Sequence, residues 1–519
     1  MAEGAIQLKS VPPPAANLEE LRLAAEVLST RDGPYPVRAD LVDKMCLLDN
    51  GELLIAENSR LEVTVLAYED ELRRAQVEFR PVKVPLTKIR EIYAAHAAKK
   101  RTPGGALPAA VSDRQTQVLN LIRTAVAGGA SDLHIAVKGD IALIRSRIDG
   151  VLQSATEMPA DDGKELCATI YQSMCDVAEP TYKPHQPQDG RLKEEFLRSA
   201  GLYGARVATR PTERGQLMVL RLLYSGEKKQ SDLDALGYLP EQRELILRLT
   251  RRKNGINIFS GPTGSGKSTS LKVLLGQLVR NYEGLIHLLT IEDPPEYTIK
   301  GANQTPLGQG SWADAIRNAM RLDPDVMMIG EMRDLLSAQA AFQAALTGHG
   351  VWTTLHANDA ITILQRLADL KLDPGLYGDP TLLTGLLNQN LARVLCPNCK
   401  KPWRSESHRV ERGLVARVER FCDPANVYVR GPGCDRCGRR GIVGRQVIAE
   451  VIAPTLALME SFRRDGKAAA RAFWLNTMGG ISKTDHLLRC ISDGRIDPAM
   501  GEADVGPLDD TLLERGTQA

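Results

Sequence analysis

The sequence reads as a multidomain α/β protein, and three observations carry that reading. At 519 residues it is long enough for about three to five domains. Residues 236–390 alternate short apolar strands with helical stretches, the pattern of a parallel sheet with crossover helices. Within that stretch, Gly261-Pro262-Thr263-Gly264-Ser265-Gly266-Lys267-Ser268 sits between the strand pattern Gly255–Ser260 and a helical run from Ser268 to Leu278. Strand, glycine turn and helix N-terminus in that order form a phosphate cradle: the glycines let successive N–H groups point inward, and the helix end adds positive charge. In that setting Lys267 reaches the β- and γ-phosphates, Ser268 holds Mg²⁺, and Thr269 continues the binding segment. The expected ligand is a nucleoside triphosphate.

The rest divides into four regions. Residues 1–100 form a small mixed domain, with strands at Leu53–Ala56 and Leu61–Val65 and helices at Glu69–Glu78 and Leu86–Ala98. Residues 99–112 combine basic residues with Pro and Gly and read as a linker. Residues 113–226 are α+β: a helix to about Val126, opened by a possible Ser112/Gln115 capping box, then strands at Leu133–Val137, Ile141–Ile148, Gly204–Ala208 and Met218–Leu222. A polar connector follows to about Ser231. Residues 391–450 break the alternating pattern, and residues 451–519 read as helical to about Arg495 and then as a loose tail.

Composition sets bounds. The net charge is +2 and aromatic residues are 4%, so no basic stripe with interleaved aromatics speaks for nucleic acid. No apolar run approaches about 18 residues, and the N-terminus lacks a basic-then-apolar leader, so the expected location is the cytoplasm. In that compartment the nine cysteines are not expected to form structural disulfides.

Further chemistry follows the loop. Leu288–Ile291 is an apolar run ending in Glu292 and Asp293; acids at a sheet strand's C-terminal end lie beside the nucleotide in such folds, although Asp-Pro-Pro is also an ordinary strand stop. Val326–Ile329 ends in Gly330-Glu331, where the usual phosphate-loop partner is an Asp directly after the strand. His349 and His356 bracket Val351–Leu355, a placement suited to sensing the γ-phosphate or signalling to a neighbouring subunit. Cys396-Pro397-Asn398-Cys399 and Cys434-Asp435-Arg436-Cys437 are two CxxC pairs, a spacing that offers four thiolates to Zn²⁺; two pairs argue against a redox role. Cys422 has no CxxC partner.

Together these segments resemble the secretion ATPase superfamily, which includes the hexameric motors of type II secretion and type IV pilus assembly. The resemblance covers about 113–450. It rests on the phosphate loop, Thr290-Ile291-Glu292-Asp293-Pro294 with Glu296, Asp323 through Asp334, Thr347-Gly348-His349, and Thr354 through Ala360. It also rests on SDLHI (131–135), RSRIDG (145–150), QDGR (188–191) and ARVATRPTERG (205–215). Ala357 stands where the family usually has Thr, Leu322 where it has Gln, and Asn390 where it has Arg.

The resemblance implies a RecA-like ATPase core preceded by a PAS-like domain, with ATP, Mg²⁺ and Zn²⁺ as cofactors. It assigns catalytic roles to Lys267, Glu292, Glu331 and His356, with Arg206, Arg210 and Arg221 delivered from the second domain. The four-cysteine insertion points to the assembly branch. The implied partners are five further copies in a homohexamer and a polytopic inner-membrane platform protein met through residues 1–100, with no direct nucleic-acid contact. The implied location is the cytoplasmic face of that membrane. The alternative is a pilus-retraction or type IV secretion traffic ATPase, and a non-enzymatic nucleotide-binding scaffold is the rival from a different class.

Overall fold

The structure is a computed structural model that describes residues 27–30, 33–37, 41–42, 44–57, 59–60, 62–89, 92–93, 113–153, 155–176, 181–224 and 232–510. The proposed linker 99–112 with Ser112, the connector 225–231 and residues 511–519 lie outside them. The chain divides into two compact units, residues 1–108 and 109–519.

In the first unit, β1 (Met45–Leu47) pairs antiparallel with β2 (Glu52–Ala56), and β2 pairs parallel with β3 (Arg80–Val84). The strand expected at Leu61–Val65 is not formed; a helix spans Val63–Arg74 instead. Val65, Tyr68 and Leu72 are all buried, so the spacing of three and four residues overrides the β-branched content of this stretch. Glu69 lies on the same buried face and pairs with Arg73 at 3.1 Å.

The second unit opens with the helix Asp113–Ala127 and an antiparallel sheet. Its strands are β4 (Ala130–Lys138), β5 (Ile141–Ile148), β6 (Val151–Leu152), β7 (Thr156–Pro159), β8 (Cys175–Asp176), β9 (Gln188–Leu192), β10 (Leu202–Thr212) and β11 (Gly215–Tyr224). They lie in the order β6-β5-β4-β11-β10-β9-β8, with β7 also on β5. Alternation sets the two faces: Ala205, Val207 and Thr209 are buried, whereas Arg206 and Arg210 sit on the other face.

A seven-stranded sheet follows: β12 (Gly255–Ser260), β13 (Leu288–Glu292), β14 (Ala302–Pro306), β15 (Val326–Ile329), β16 (Gly350–Leu355), β17 (Leu383–Leu395) and, after a two-stranded pair β18 (Lys401–Pro402) and β19 (Tyr428–Val429), β20 (Ile442–Ile452). The order is β14-β13-β15-β16-β12-β17-β20, parallel except for β20. β12 and β16 are buried throughout, as expected of strands covered by helices on both faces. Ile256, Ile258, Ile291 and Phe342 fill one layer; Phe259, Leu271, Leu274 and Trp352 fill the other.

Two boundaries read from sequence are corrected. The seven-stranded sheet does not end at Asn390: β17 continues to Leu395, and β20 brings the chain back beside it, so the cysteine region is an excursion between neighbouring strands. Nor do the described residues from Arg495 to Asp510 form a loose tail. A helix spans Pro498–Asp504, Leu508 is fully buried, and Asp504 pairs with Arg393 at 2.9 Å.

Candidate functional site

Because β12, β13, β15 and β16 run parallel, their C-terminal ends share one edge of the sheet. The phosphate loop leaves β12 there, Glu292 ends β13, Glu331 follows β15 by one residue, and His356 follows β16 directly. The loop curls with φ of +141°, +80° and +83° at Gly261, Gly264 and Gly266. A Cβ at Gly261 would stand 2.3 Å from the Gln389 carbonyl oxygen, so the close approach of β17 also demands glycine here. The helix Lys267–Asn281 begins on Gly266, directing its first N–H groups into the loop.

Lys267 Nζ donates to the carbonyls of Gly261 at 2.8 Å and Pro262 at 3.1 Å, folded over its own loop. Burial holds its pKa below the usual lysine range, opposed by the charges of Glu331 and Glu296. Glu331 stands between Arg333 Nε at 2.8 Å and His356 Nε2 at 3.3 Å. Glu292 Oε1 accepts from Thr290 Oγ1 at 2.7 Å and Gln304 Nε2 at 2.9 Å, fixing its carboxylate at the strand end.

His349 is a correction. It lies before β16, at the opposite edge, about 20 Å of extended strand away. Its Nδ1 meets the Ala344 carbonyl at 2.9 Å and Thr347 Oγ1 at 3.1 Å, so it secures a helix end and is remote from the phosphate loop.

The arginines separate. Arg206 Nη2 donates to the carbonyls of Asp293 at 3.0 Å and Pro294 at 3.3 Å, reaching from the antiparallel sheet onto the acidic turn after β13; its Nε is enclosed without a partner. Arg221 is directly opposite Arg206 on β11, and its Nε donates to Asp132 Oδ1 at 3.1 Å. Arg221 also lies close enough to Tyr297 to lower its pKa electrostatically, although burial, the largest influence, raises it; Tyr297 bonds Thr269 at the start of the loop helix. Arg210 is four residues along from Arg206, about 13 Å on, and is not brought to the acidic turn. Register adds two arginines that sequence reading did not single out: Arg147, Asp132, Arg221, Arg206 and Arg191 form one row across five strands. RSRIDG and QDGR contain Arg147 and Arg191, but pairing register across strands distant in sequence is invisible in the sequence, which is why they were given no role.

Supporting polar groups were missed too. Gln389 Nε2 donates to the Ser265 carbonyl at 2.7 Å, and Tyr238 donates to Gln389 Oε1 at 2.6 Å. Asn388 Nδ2 joins Ser260 Oγ at 2.8 Å to the Ala357 carbonyl at 2.9 Å. The motif NQN (388–390) was the only signal available. Behind His356, the segment through Asp359 is tied to the C-terminal helices. Glu450, fully buried, pairs with Arg471 at 2.8 Å and accepts from the Ala360 N–H at 2.9 Å, while Lys467 meets Asp359 at 3.0 Å.

A second centre lies between β17 and β20. The Sγ atoms of Cys396, Cys399, Cys434 and Cys437 all lie within 4.8 Å of one another. The closest separations are 3.7 Å for 396–434, 3.9 Å for 399–437 and 3.8 Å for 434–437. Tetrahedral zinc with Zn–S near 2.3 Å requires about 3.8 Å between sulfurs, so the residues fit that metal. Cys437 Sγ accepts from the N–H of Cys434 and of Gly441, each at 3.2 Å, and these bonds, the Cys434 amide foremost, draw its pKa down to about 6. Burial, reinforced by the other three sulfurs, pushes Cys399 up to about 12. Cys422 is packed with Trp403, Leu414 and Val418, outside the cluster.

A phosphate loop opening a helix at the edge of a parallel sheet, beside carboxylates from two further strands, defines the nucleotide-hydrolase class. A family model for Type II/IV secretion system proteins matches residues 113–476. The type II secretion system ATPase E of Vibrio cholerae is 37% identical over 359 residues, 67% of this chain and 68% of that protein. The type IV pilus assembly ATPase PilB of Thermus thermophilus is 34% identical over 71% of this chain and 40% of that protein. The X-ray structure of the Legionella pneumophila ATPase DotB superposes with a TM-score of 0.53 at 20% identity, over 77% of this chain and 98% of that one, a likeness of fold. The chain belongs to the Type II/IV secretion system protein family, a family of secretion and pilus ATPases. Among the described residues no helix is long and apolar enough to cross a membrane.

Proposed function

We propose that this protein is an ATP-driven homohexameric motor that assembles a type IV pilus, or a type II secretion pseudopilus, from the cytoplasmic face of the inner membrane. The observation that carries the motor reading is Arg206: a second domain reaches from its own sheet onto the acidic turn beside the phosphate loop. The strand order β13-β15-β16-β12-β17 supports a RecA-like core. The antiparallel sheet of residues 113–224 takes the place of the PAS-like domain, and residues 1–100 serve as the docking domain for a polytopic platform protein.

In this reading Gly261–Thr269 binds the phosphates and Lys267 leaves its loop carbonyls for the β- and γ-oxygens. Ser268 would hold Mg²⁺, which supplies charge neutralisation at the transferring phosphate. Glu292, fixed by Thr290 and Gln304, orients or deprotonates the attacking water. Glu331, with His356 and Arg333, supports the water and metal shell. Arg206 and Arg221 stabilise the charge of the leaving phosphate; Arg210, which the structure does not bring to the acidic turn, is assigned to the rim. Cys396, Cys399, Cys434 and Cys437 would hold a structural Zn²⁺, whose binding energy is folding energy. The cysteine cluster favours the assembly branch over retraction or traffic motors.

The test is genetic and biochemical together. A strain lacking the gene should lose surface pili or pseudopilus-dependent secretion, and the wild-type gene should restore it while Lys267→Ala should not. Excess pili in the deletion strain would sink the assembly reading. Absence of ATP turnover by the purified full-length chain, with or without nucleotide-induced oligomers, would sink the motor reading.

A further inference from the structure

The two centres are physically joined. Arg440 lies three residues beyond Cys437, and its Nε donates to the Cys437 carbonyl at 3.2 Å. Its Nη1 crosses to the antiparallel sheet and meets Asp149 Oδ2 at 2.5 Å, in an ion pair whose side chains are only 28% and 18% exposed. Asp149 and Gly150 form the turn between β5 and β6, both with positive φ. Arg147, at the end of β5, donates to the Gly150 carbonyl at 2.9 Å and faces Asp132 at 3.9 Å. Asp132 in turn holds Arg221. A path therefore runs from the cysteine cluster to the arginine row, through the Arg440–Asp149 ion pair, the Asp149–Gly150 backbone and the longer Arg147–Asp132 ion pair.

Most exposed ion pairs between long side chains contribute little, because solvent screens them and ordering costs entropy. This pair differs. One partner is pinned at its base by the cysteine loop: Cys396 N–H bonds the Gly441 carbonyl at 2.9 Å, Gly441 N–H bonds Cys437 Sγ, and Arg430 Nε bonds the Arg440 carbonyl at 2.8 Å. The other sits in a two-residue turn with little freedom. Preorganisation on both sides makes the contact a defined bridge between the cysteine loop and the antiparallel sheet.

We infer that Arg440, held by the tetracysteine loop, is a positioning residue that docks the Asp149–Gly150 turn and thereby holds the end of the antiparallel sheet that carries Arg147, and through Asp132 the Arg221 side chain, in place beside the phosphate edge. This inference rests on the proposed role of the arginine row. The cysteine cluster then has a mechanical task besides stabilising its own loop: with its metal bound it offers Arg440 as a fixed anchor for the antiparallel sheet.

The experiment uses full-length protein and compares Arg440→Ala, Asp149→Ala and the double variant Arg440→Ala with Asp149→Ala. Amide hydrogen exchange over residues 145–153 should accelerate about tenfold in each single variant and in chelated wild-type protein, since a docked turn opens once its anchor is gone. Zinc content should stay unchanged in Asp149→Ala, which leaves the cysteine loop intact. The maximal ATPase rate should fall about tenfold in each single variant with KM for ATP nearly constant, and the double variant should lose no more exchange protection or rate than either single one. Unchanged exchange in Asp149→Ala and Arg440→Ala overturns the inference, as does a double variant in which the two single losses simply multiply. Arg206→Ala and Arg221→Ala are measured in parallel. If those two hydrolyse at the normal rate, the arginine reading fails by itself, and the exchange data still decide whether the turn is docked.

Discussion

At the residue scale the phosphate edge is a set of charges, each held by its neighbours. Lys267 is occupied by two carbonyls of its own loop, contacts weak enough to be exchanged for phosphate oxygens. Lys267→Ala removes the fixed charge and should lower ATP turnover by about a hundredfold or more. Glu331→Gln keeps the cradle intact, so binding of a fluorescent ATP analogue should survive while turnover falls by a comparable factor. Normal turnover by either variant would remove that residue from the mechanism. The sequence showed which residues carry charge here, because a glycine-rich loop with Lys and Ser is a local object. It did not show that Glu331 would be shared between Arg333 and His356, or that His349 would sit at the far edge of the sheet. Which end of a buried strand faces the site depends on strand direction in the sheet.

At the scale of elements, the cysteine excursion and the C-terminal helices share one core. Cys434→Ser should release about one zinc per chain, since three thiolates hold zinc far less well than four, whereas Cys422→Ser should retain it. Metal analysis of the two purified variants checks this, and equal zinc in both would mean that the ligand set is wrong. The helix Lys483–Ser492 carries His486, fully buried between the Ala449 N–H at 3.0 Å and the Gly237 carbonyl at 3.2 Å. Burial draws its pKa from the usual 6.5 down to about 4. The unfolded chain therefore binds the proton first as pH falls. The stability that a neutral His486 contributes is whole above about pH 6.5 and is lost toward pH 4, at up to about 1.4 kcal/mol per pH unit. Denaturant midpoints between pH 7 and 4.5 should decline in wild type and decline less in His486→Gln. Equal slopes would show that His486 does not govern this window.

At the scale of the whole molecule, the proposed coupling of hydrolysis to movement rests on the place where the antiparallel sheet reaches the ATPase sheet. A fragment beginning near Leu236 keeps every phosphate-loop, acid and histidine motif but lacks Arg206 and Arg221. Its maximal rate should be about a thousandfold below that of the full chain, as for other missing arginines at a transferring phosphate. ATP binding should suffer much less. A fragment as fast as the intact protein would end the proposed coupling between hydrolysis and domain movement.

The sequence by itself determined the chemistry that is local in the chain: the phosphate loop, the acids that end apolar strands, the two CxxC pairs and the alternation that marks a parallel sheet. These were legible because each depends on residues within one turn or strand of each other. The tertiary structure alone decided what depends on register and direction. Five strands had to pair before Arg147, Asp132, Arg221, Arg206 and Arg191 became one row. β17 and β20 had to lie side by side before four thiols, 38 residues apart across each pair, became one cluster beside the sheet. Helical spacing had to win at Val63–Arg74, and a buried Leu508 had to close what reads as a loose tail. Long-range pairing is selected by burial and backbone hydrogen bonding summed over the whole fold, and no local window of sequence contains that sum.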